Sequence, residues 1–388
     1  MALDTVHQAF GDLTSDEDLE REAKLMPSDR TLTAYDGDFA VGAAASYPFE
    51  LTIPGGQLPA AGVTWVGVLP THRRRGVLTE MMRRQIEDVH ERREPLAILW
   101  ASEAAIYGRF GYGLAAPVHF LEAERARFRL RDDPGPVADV RLVDRDEAAR
   151  LFPPIYETVR PSTPGTLSRT KTWWRENTLA DPESWRRGAG PKFYAVVEVD
   201  GKPAGYALYR IKNEWAQGIP RNEVRVGEAF ATSPGAARDL WRFLFGIDLV
   251  AKVVMFGFDP GSPLFLMVSD PRSLQLRVAD GLWLRLVDLE TALRARSYED
   301  GEPVVIDVRD ELCPWNMGRY RVGDKVGRTR GAADLELDVA DLAAAYLGGF
   351  DFHQLAAADL VRELKPGALE RASALFRTPR PPYCPEVF

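Results

Sequence analysis

The stretch from Gly62 to Trp100 constrains the fold more than any other part of the chain. GVTWVGV (62–68) is an apolar run of strand length, rich in β-branched residues. Pro70 and the loop His72-Arg73-Arg74-Arg75-Gly76 interrupt it. From Gly76 onward Val77, Leu78, Met81, Met82, Ile86 and Val89 fall on one helical stripe, with Arg, Glu and Gln elsewhere. Pro95 closes that helix, and LAILW (96–100) reads as a short buried strand. Strand, basic turn, helix and strand in that order form a βαβ-like unit, which implies a parallel or mixed sheet.

The surrounding segments fit an α/β (α+β) chain of several domains. TLTAYDGDFAVGAAASY (31–47) reads as two strands joined at Asp36-Gly37-Asp38. Asp200-Gly201 through Tyr209 echoes the segment from Asp36-Gly37 to Tyr47. VRVGEAFATSPGAARDLWRFLFG (224–246) likewise echoes VTWVGVLPTHRRRGVLTEMMRRQ (63–85), with Ser233-Pro234-Gly235 where the first copy has its arginines. The expectation is two related α/β domains, only one of them charged for anion binding. RDDPGPVA (131–138) punctuates the chain between them. A third segment starts near 289, with strand-like VVIDVRD (304–310), GRYRVG (318–323) and DLELDV (334–339). Helices are expected around 340–347 and 355–364. In the closing RTPRPPYCPEVF, Pro379, Pro381, Pro382 and Pro385 forbid a helix, so the tail must run extended. The expected domains are 1–138, 139–288 and 289–388.

Bulk properties narrow the function. A length of 388 residues points to two or three domains. The net charge of −8 argues against nucleic acid, since a phosphate-binding surface needs a basic excess. Cys313 and Cys384 are the two cysteines, and with His7, His72, His90, His119 and His353 they show no metal-site spacing, so no metal is expected. The start MALDTVHQAFGDLTSDEDLERE lacks the basic and apolar regions of a secretion signal, and no run of about 18 apolar residues exists to span a membrane. A cytoplasmic protein is the reading.

Chemistry concentrates at the basic turn. The first turn of a helix presents free amides and a partial positive end that attract phosphate oxygens. Gly76 permits close backbone approach there, and the arginines add forked donors suited to a pyrophosphate. No GxxxxGK[ST] or GxGxxG occurs, so neither a P-loop nor a Rossmann site is present. Tyr107 and Tyr112, among Gly108, Gly111 and Gly113, are aromatic candidates that the residues alone do not separate. The set Trp173, Trp174, Trp185, Trp215, Trp241 and Trp283 reads as core or interface of the middle domain.

VGVLPTHRRRGVL, with Ser102-Glu103 and IYGRFGYG (106–113), resembles the Eis family of GCN5-related N-acetyltransferases (GNAT). The resemblance covers the whole chain. It implies tandem GNAT folds, mixed sheets flanked by helices, the second degenerate, and a C-terminal α+β domain similar to sterol carrier proteins. Acetyl-CoA is the implied cosubstrate and a small-molecule amine the implied acceptor, within a homo-oligomer, a hexamer in the family. Arg73-x-x-Gly76-x matches the family's pyrophosphate loop, though Leu78 replaces its last small residue. Val66 and Val68 match the strand whose backbone pairs with pantetheine, and Arg74, Val77 and Ser102 complete the implied cofactor site. Tyr107 matches the general acid, and the carboxylate of the last residue, Phe388, the general base. Phenol and thiol differ in pKa by an amount worth about 2 kcal/mol, a tolerable mismatch for proton transfer. Trp65 stands where the family walls its acceptor pocket with an aromatic. Val387 departs from the acidic residue that precedes the terminal Phe in aminoglycoside-modifying members, which leaves the acceptor open. A different class of function, a CoA- or lipid-binding carrier, would require an apolar tunnel in the third domain.

Overall fold

The computed structural model describes residues 2–11, 15–131 and 134–388. Asp132 and Asp133 of the punctuating stretch lie outside the described residues, as do Asp12, Leu13 and Thr14 of the start. Along the chain come α1 (Ala2–Phe10), α2 (Asp16–Leu25), β1 (Thr31–Asp36), β2 (Phe39–Ile53), β3 (Gly56–Val68), α3 (Val77–Glu91), β4 (Leu96–Trp100), α4 (Ala104–Tyr107) and β5 (Gly113–Glu124). The middle of the chain forms β6 (Asp139–Val143), α5 (Arg145–Val159), α6 (Lys171–Trp173), β7 (Phe193–Val199), β8 (Lys202–Lys212), the short β9 (Trp215–Ala216) and β10 (Ile219–Pro220), β11 (Asn222–Ala231), α7 (Pro234–Gly246), β12 (Val250–Phe258), α8 (Leu264–Met267) and β13 (Arg277–Leu286). The last part holds α9 (Leu289–Ala295), β14 (Val304–Arg309), β15 (Gly318–Val322), β16 (Gly327–Arg328), β17 (Leu335–Asp338), α10 (Val339–Tyr346), α11 (Phe352–Ala357), β18 (Val361–Glu363) and α12 (Ala368–Leu375).

Two compact units result. The first takes in residues 1–117, 163–168 and 280–388, the second residues 118–162 and 169–279. In the first unit β1, β2 and β3 are antiparallel neighbours, and β3 pairs with β4 in parallel. That parallel contact covers only Ala60–Gly62 against Leu96–Ile98, although β3 runs on to Val68. The cause of the divergence is local. Ala43 faces Gly67 and Ala45 faces Thr64, so Trp65 and Val66 oppose Ala44 alone, a β-bulge with Trp65 at φ 54°. The bulge bends β3 and leaves the 63–68 edge away from β2 without a strand partner among the described residues.

The helix stripe holds in detail: Met81, Met82, Ile86 and Val89 of α3 are buried, together with Gln85, whose amide donates to the Ala45 carbonyl at 3.0 Å. The third-domain sheet runs β16-β15-β14-β17-β18, with β14 and β17 parallel. In DLELDV, Leu335 and Leu337 are buried while Glu336 and Asp338 reach out to Arg309. The helix expected over 355–364 is displaced: α11 ends at Ala357, and Val361–Glu363 forms β18 on β17. An Asp351/Gln354 capping box starts α11 early, and pairing with β17 takes the later residues.

The third domain shares the interior of the first unit. Cys313 lies in the same apolar cluster as Val63, Met82, Tyr107 and Tyr112. A Cβ on Gly113 would come 1.8 Å from the Ala340 carbonyl of α10, so only glycine allows that contact. Buried Arg285 donates to both oxygens of Asp310 at 2.7 Å, and Asn316 joins them at 2.9 Å. The tail from Arg377 contains no helix, as its prolines require.

The second unit repeats the first unit's order. β8 pairs antiparallel with β11, β11 pairs in parallel with β12, and α7 connects them. A register shift between Val226 and Glu228 matches the bulge at Trp65. Of the tryptophans expected in the middle domain, Trp173, Trp174 and Trp241 are buried there, whereas Trp185 and Trp215 are exposed. Trp283 is a correction. It sits on β13 opposite Leu99 of β4 and packs on the first unit's core, because β13 returns to that sheet. Among the described residues no helix is long and apolar enough to cross a membrane.

Candidate active site

A cavity of about 500 Å³ opens where β3 leaves β4. Val66, Gly67 and Val68 of the unpaired edge form one wall. Arg73, Arg74, Gly76 and Val77 of the turn form a second, with Leu78 and Thr79 beside them. Ser102, Glu103 and Tyr107, beyond the end of β4, close it. Eight of the ten residues singled out from the sequence therefore border one space. Trp65 and Phe388 do not.

The helix end facing this cavity is bare. Gly76 caps α3 at φ 84°, and among the described residues no side chain caps the first turn. A Cβ at Gly76 would meet nothing within 4 Å, so glycine is required by the left-handed backbone and not by crowding. Arg74 also has positive φ, 63°, which tightens the turn. The arginines are not equivalent. Arg73 is turned toward main chain, with Nε to the Val68 carbonyl at 3.3 Å and Nη2 to the Ala9 carbonyl at 3.2 Å. His72 is held between Thr71 at 2.8 Å and Asp36 at 3.1 Å.

The two tyrosines separate by position. Tyr112 is wholly buried, its ring edge-on to Tyr107 with centroids 6.0 Å apart, and desolvation pushes its phenol up. Tyr107 is 8% exposed and borders the cavity. Burial raises its phenol above the ordinary value, and the nearby Glu103 carboxylate adds to that. Gly111, φ 78°, takes the face of the Arg285 guanidinium, where a Cβ would lie 2.6 Å from Nη1. Cys313 nearby is inert by the same physics, its thiol pushed up to about 11 by burial.

Trp65 and Phe388 belong to a separate aromatic row on the same strands. Ring centroids step 6.4 Å from Trp65 to Tyr47, 5.7 Å to Phe49 and 5.2 Å to Phe388. A Cβ at Gly62 would lie 3.2 Å from the Phe388 ring, which places the last residue over the point where β3 and β4 part. Glu386 is buried and Val387 exposed, so the two point to opposite sides, as an extended chain requires.

Sequence reasoning missed several neighbours. Ala9 and Phe10 of α1 border the cavity, and Ala9 approaches Gly67 so closely that a Cβ there would sit 3.2 Å away. The signal was Thr5, Val6 and Ala9 at helical spacing, all buried. Ile106 and Arg109 also line the space, Arg109 lying over the Phe110 ring at 5.0 Å.

Comparison with known proteins agrees with this geometry. Acetyltransferase (GNAT) domain models match residues 1–115 and 165–286, and a sterol carrier protein domain model matches 289–385. An unpaired strand edge beside an uncapped, arginine-bearing helix start, in that domain, defines a GNAT-superfamily N-acetyltransferase, and the match implies acetyl-CoA as donor. An uncharacterized N-acetyltransferase of Streptomyces avermitilis is 44% identical, covering 99% of this chain and 96% of the relative. N-acetyltransferase Eis of Mycobacterium tuberculosis is 35% identical over 96% of this chain and 93% of its own. The crystal structure of Eis1 from Mycobacterium abscessus superposes with a TM-score of 0.87 at 36% identity, covering 100% and 96%. The chain belongs to the Eis family of N-acetyltransferases. The residues present suit a CoA: a free strand edge for an extended amide arm, orphan amides at Val77 to Thr79 for phosphate oxygens, and cationic side chains beside them. Among the described residues no three His, Cys, Asp or Glu side chains are grouped to hold a metal.

Proposed function

We propose that this protein transfers the acetyl group of acetyl-CoA directly to a primary amine, with Tyr107 as acid and the Phe388 carboxylate as base. The observation that carries the reading is the convergence of Val66, Val68, Arg73, Arg74, Gly76, Val77, Ser102 and Tyr107 on one cavity of about 500 Å³. In this reading the Val66 and Val68 backbone groups pair with the pantetheine amides. The Val77 amide and its neighbours hold the pyrophosphate, with Arg73 and Arg74 supplying charge and Ser102 flanking the thioester end. The amine nitrogen forms its bond to the carbonyl carbon, the carbon–sulfur bond breaks, and the Tyr107 phenol gives its proton to the departing thiolate. A raised phenol pKa keeps Tyr107 protonated and able to donate throughout the neutral range.

The acceptor must arrive as a free amine, and deprotonating an alkylammonium at pH 7 costs about 4.6 kcal/mol. The Phe388 carboxylate, whose residue is held by the edge-on contact of its ring with Phe49, accepts that proton directly or through water. Trp65, in the same aromatic row, walls the acceptor side. Aminoglycosides, polyamines, peptide lysines and arylalkylamines are all primary-amine acceptors consistent with this chemistry, and Val387 sets the chain apart from aminoglycoside-modifying members. The proposal extends to domains at 1–138, 139–288 and 289–388 and to a cytoplasmic homo-oligomer, a hexamer by family. A thiol-release screen of acetyl-CoA against a panel of these amines tests it. Release above the amine-free rate supports the reading, and no release with any amine refutes it.

A further inference from the structure

The six residues Thr163–Ser168 bond to residues more than a hundred positions away in sequence. The chain before and after them belongs to the second unit, yet they fold as part of the first. There they add a short antiparallel partner to the edge of β2. The Thr52 amide donates to the Thr166 carbonyl at 2.9 Å, the Gly165 amide to the Thr52 carbonyl at 2.8 Å, and the Ser168 amide to the Glu50 carbonyl at 2.9 Å. Leu51 and Leu167 are bridge partners. Hydroxyls reinforce the pairing: Thr166 donates to the Thr52 hydroxyl at 3.1 Å, and the Ser168 hydroxyl accepts from the Glu50 amide at 2.9 Å. Thr163, Thr166 and Leu167 are fully buried, which no solvated connection would be.

The other side of this segment holds the C-terminal tail. The Tyr383 amide donates to the Pro164 carbonyl at 2.8 Å. Gly165, at φ 96°, presses so close that a Cβ would lie 2.8 Å from the Tyr383 carbonyl oxygen. From Tyr383 five extended residues remain, a reach of about 17 Å. They end with the Phe388 ring on Phe49, which directly precedes the Glu50–Thr52 stretch that binds the segment. One strand thus carries both the anchor of the tail and the contact of its last residue. A one-residue slip of the anchor would move the terminal carboxylate by about 3.3 Å.

We propose that Thr163–Ser168 is a positioning clip, supplied by the second domain's stretch of chain, that sets where the Phe388 carboxylate sits. The proposal rests on the carboxylate-as-base reading, and the test separates the two. Gly165→Ala, Thr166→Val and Thr166→Ser are compared with the wild type in three measurements: release of Phe388 by carboxypeptidase A, acetyl-CoA affinity by calorimetry, and turnover. In Gly165→Ala, release accelerates about tenfold as the tail opens. Turnover falls about a hundredfold, a typical result of moving a reacting group by about 1 Å. Acetyl-CoA affinity stays within about twofold, which shows the domain is folded. Thr166→Val shows the same pattern more weakly, and Thr166→Ser, which keeps the hydroxyl, restores it. Wild-type protection of Phe388 together with wild-type turnover in Gly165→Ala overturns the clip. Accelerated release with undiminished turnover upholds the anchoring and overturns the base.

Discussion

The starts of α3 and α7 occupy equivalent places in the two copies and end in opposite chemistry. Each follows a bulged strand that pairs in parallel with its neighbour over a few residues and then diverges. In the first copy glycine caps α3, no side chain among the described residues caps its first amides, and the diverging edge faces a cavity. In the second copy Ser233 accepts from the Ala236 amide, and Pro234 removes a donor altogether. Val137 packs against Gly235 at the same end, 3.0 Å from where a Cβ would stand. The space beside β11 is filled: Glu228 is held by Arg169 and Tyr206, with the Arg169 guanidinium 3.9 Å over the Tyr156 ring and 4.6 Å over Trp174. The same backbone scaffold leaves polar groups unsatisfied in one copy and satisfies them internally in the other. A binding site is where the fold declines to complete itself.

The largest effect expected from this contrast is at the tail, which reaches the aromatic row on β2 and β3 of the first copy. Adding one or two residues after Phe388 moves the carboxylate by about 3 Å per residue, beyond catalytic tolerance. Turnover is abolished while acetyl-CoA binding stays intact, and an N-terminal tag does neither. Full activity in the extended protein would assign the amine proton to water or Glu386.

Tyr107→Phe comes next, because packed rings lie beside β11 in the second copy, whereas the proposed mechanism of the first rests on one phenol at its cavity. Turnover falls by about 10²–10⁴-fold with acetyl-CoA affinity unchanged. The pH dependence has a definite sign. Tyr107 is raised, so the donor form persists past the ordinary phenol value of about 10 and activity is lost only as pH climbs through the higher value. An alkaline limb below pH 10 that survives in Tyr107→Phe would exclude Tyr107 as its origin.

Replacing Arg73 and Arg74 together with Ala weakens acetyl-CoA binding by about 2–3 kcal/mol through lost charge-assisted bonds. Calorimetry of the wild type gives one CoA per chain, and two would break the contrast outright. The smallest effect is Ser233→Ala. It costs about 1 kcal/mol of stability through the lost cap, read by denaturant unfolding, and leaves CoA affinity alone. A change in affinity would mean that the second helix start does meet the cofactor.

Much of the cofactor side was readable locally. The stripe from Val77 to Val89, the Gly76 punctuation and the Leu96–Trp100 strand depend on residues within a few positions of one another, as do the paired strands around Gly37. The helix misplaced at 355–364 failed for the converse reason, since Val361–Glu363 takes its conformation from a partner strand at Leu335–Leu337. Ala9 and Phe10 were not legible as site neighbours because what they touch lies far away in sequence.

The residues by themselves determined the strand–turn–helix units, the glycine that punctuates the basic turn, and a tail that proline rings hold out of a helix. Sterics and hydrogen bonding over one or two turns decide each of these. Only the tertiary structure decided which of two neighbouring tyrosines faces the cavity, that Trp283 belongs to the first unit, and that Thr163–Ser168 clasps the tail. Those outcomes turn on burial against partners 100 or more residues away, and burial, being non-directional, is legible only once the chain is folded.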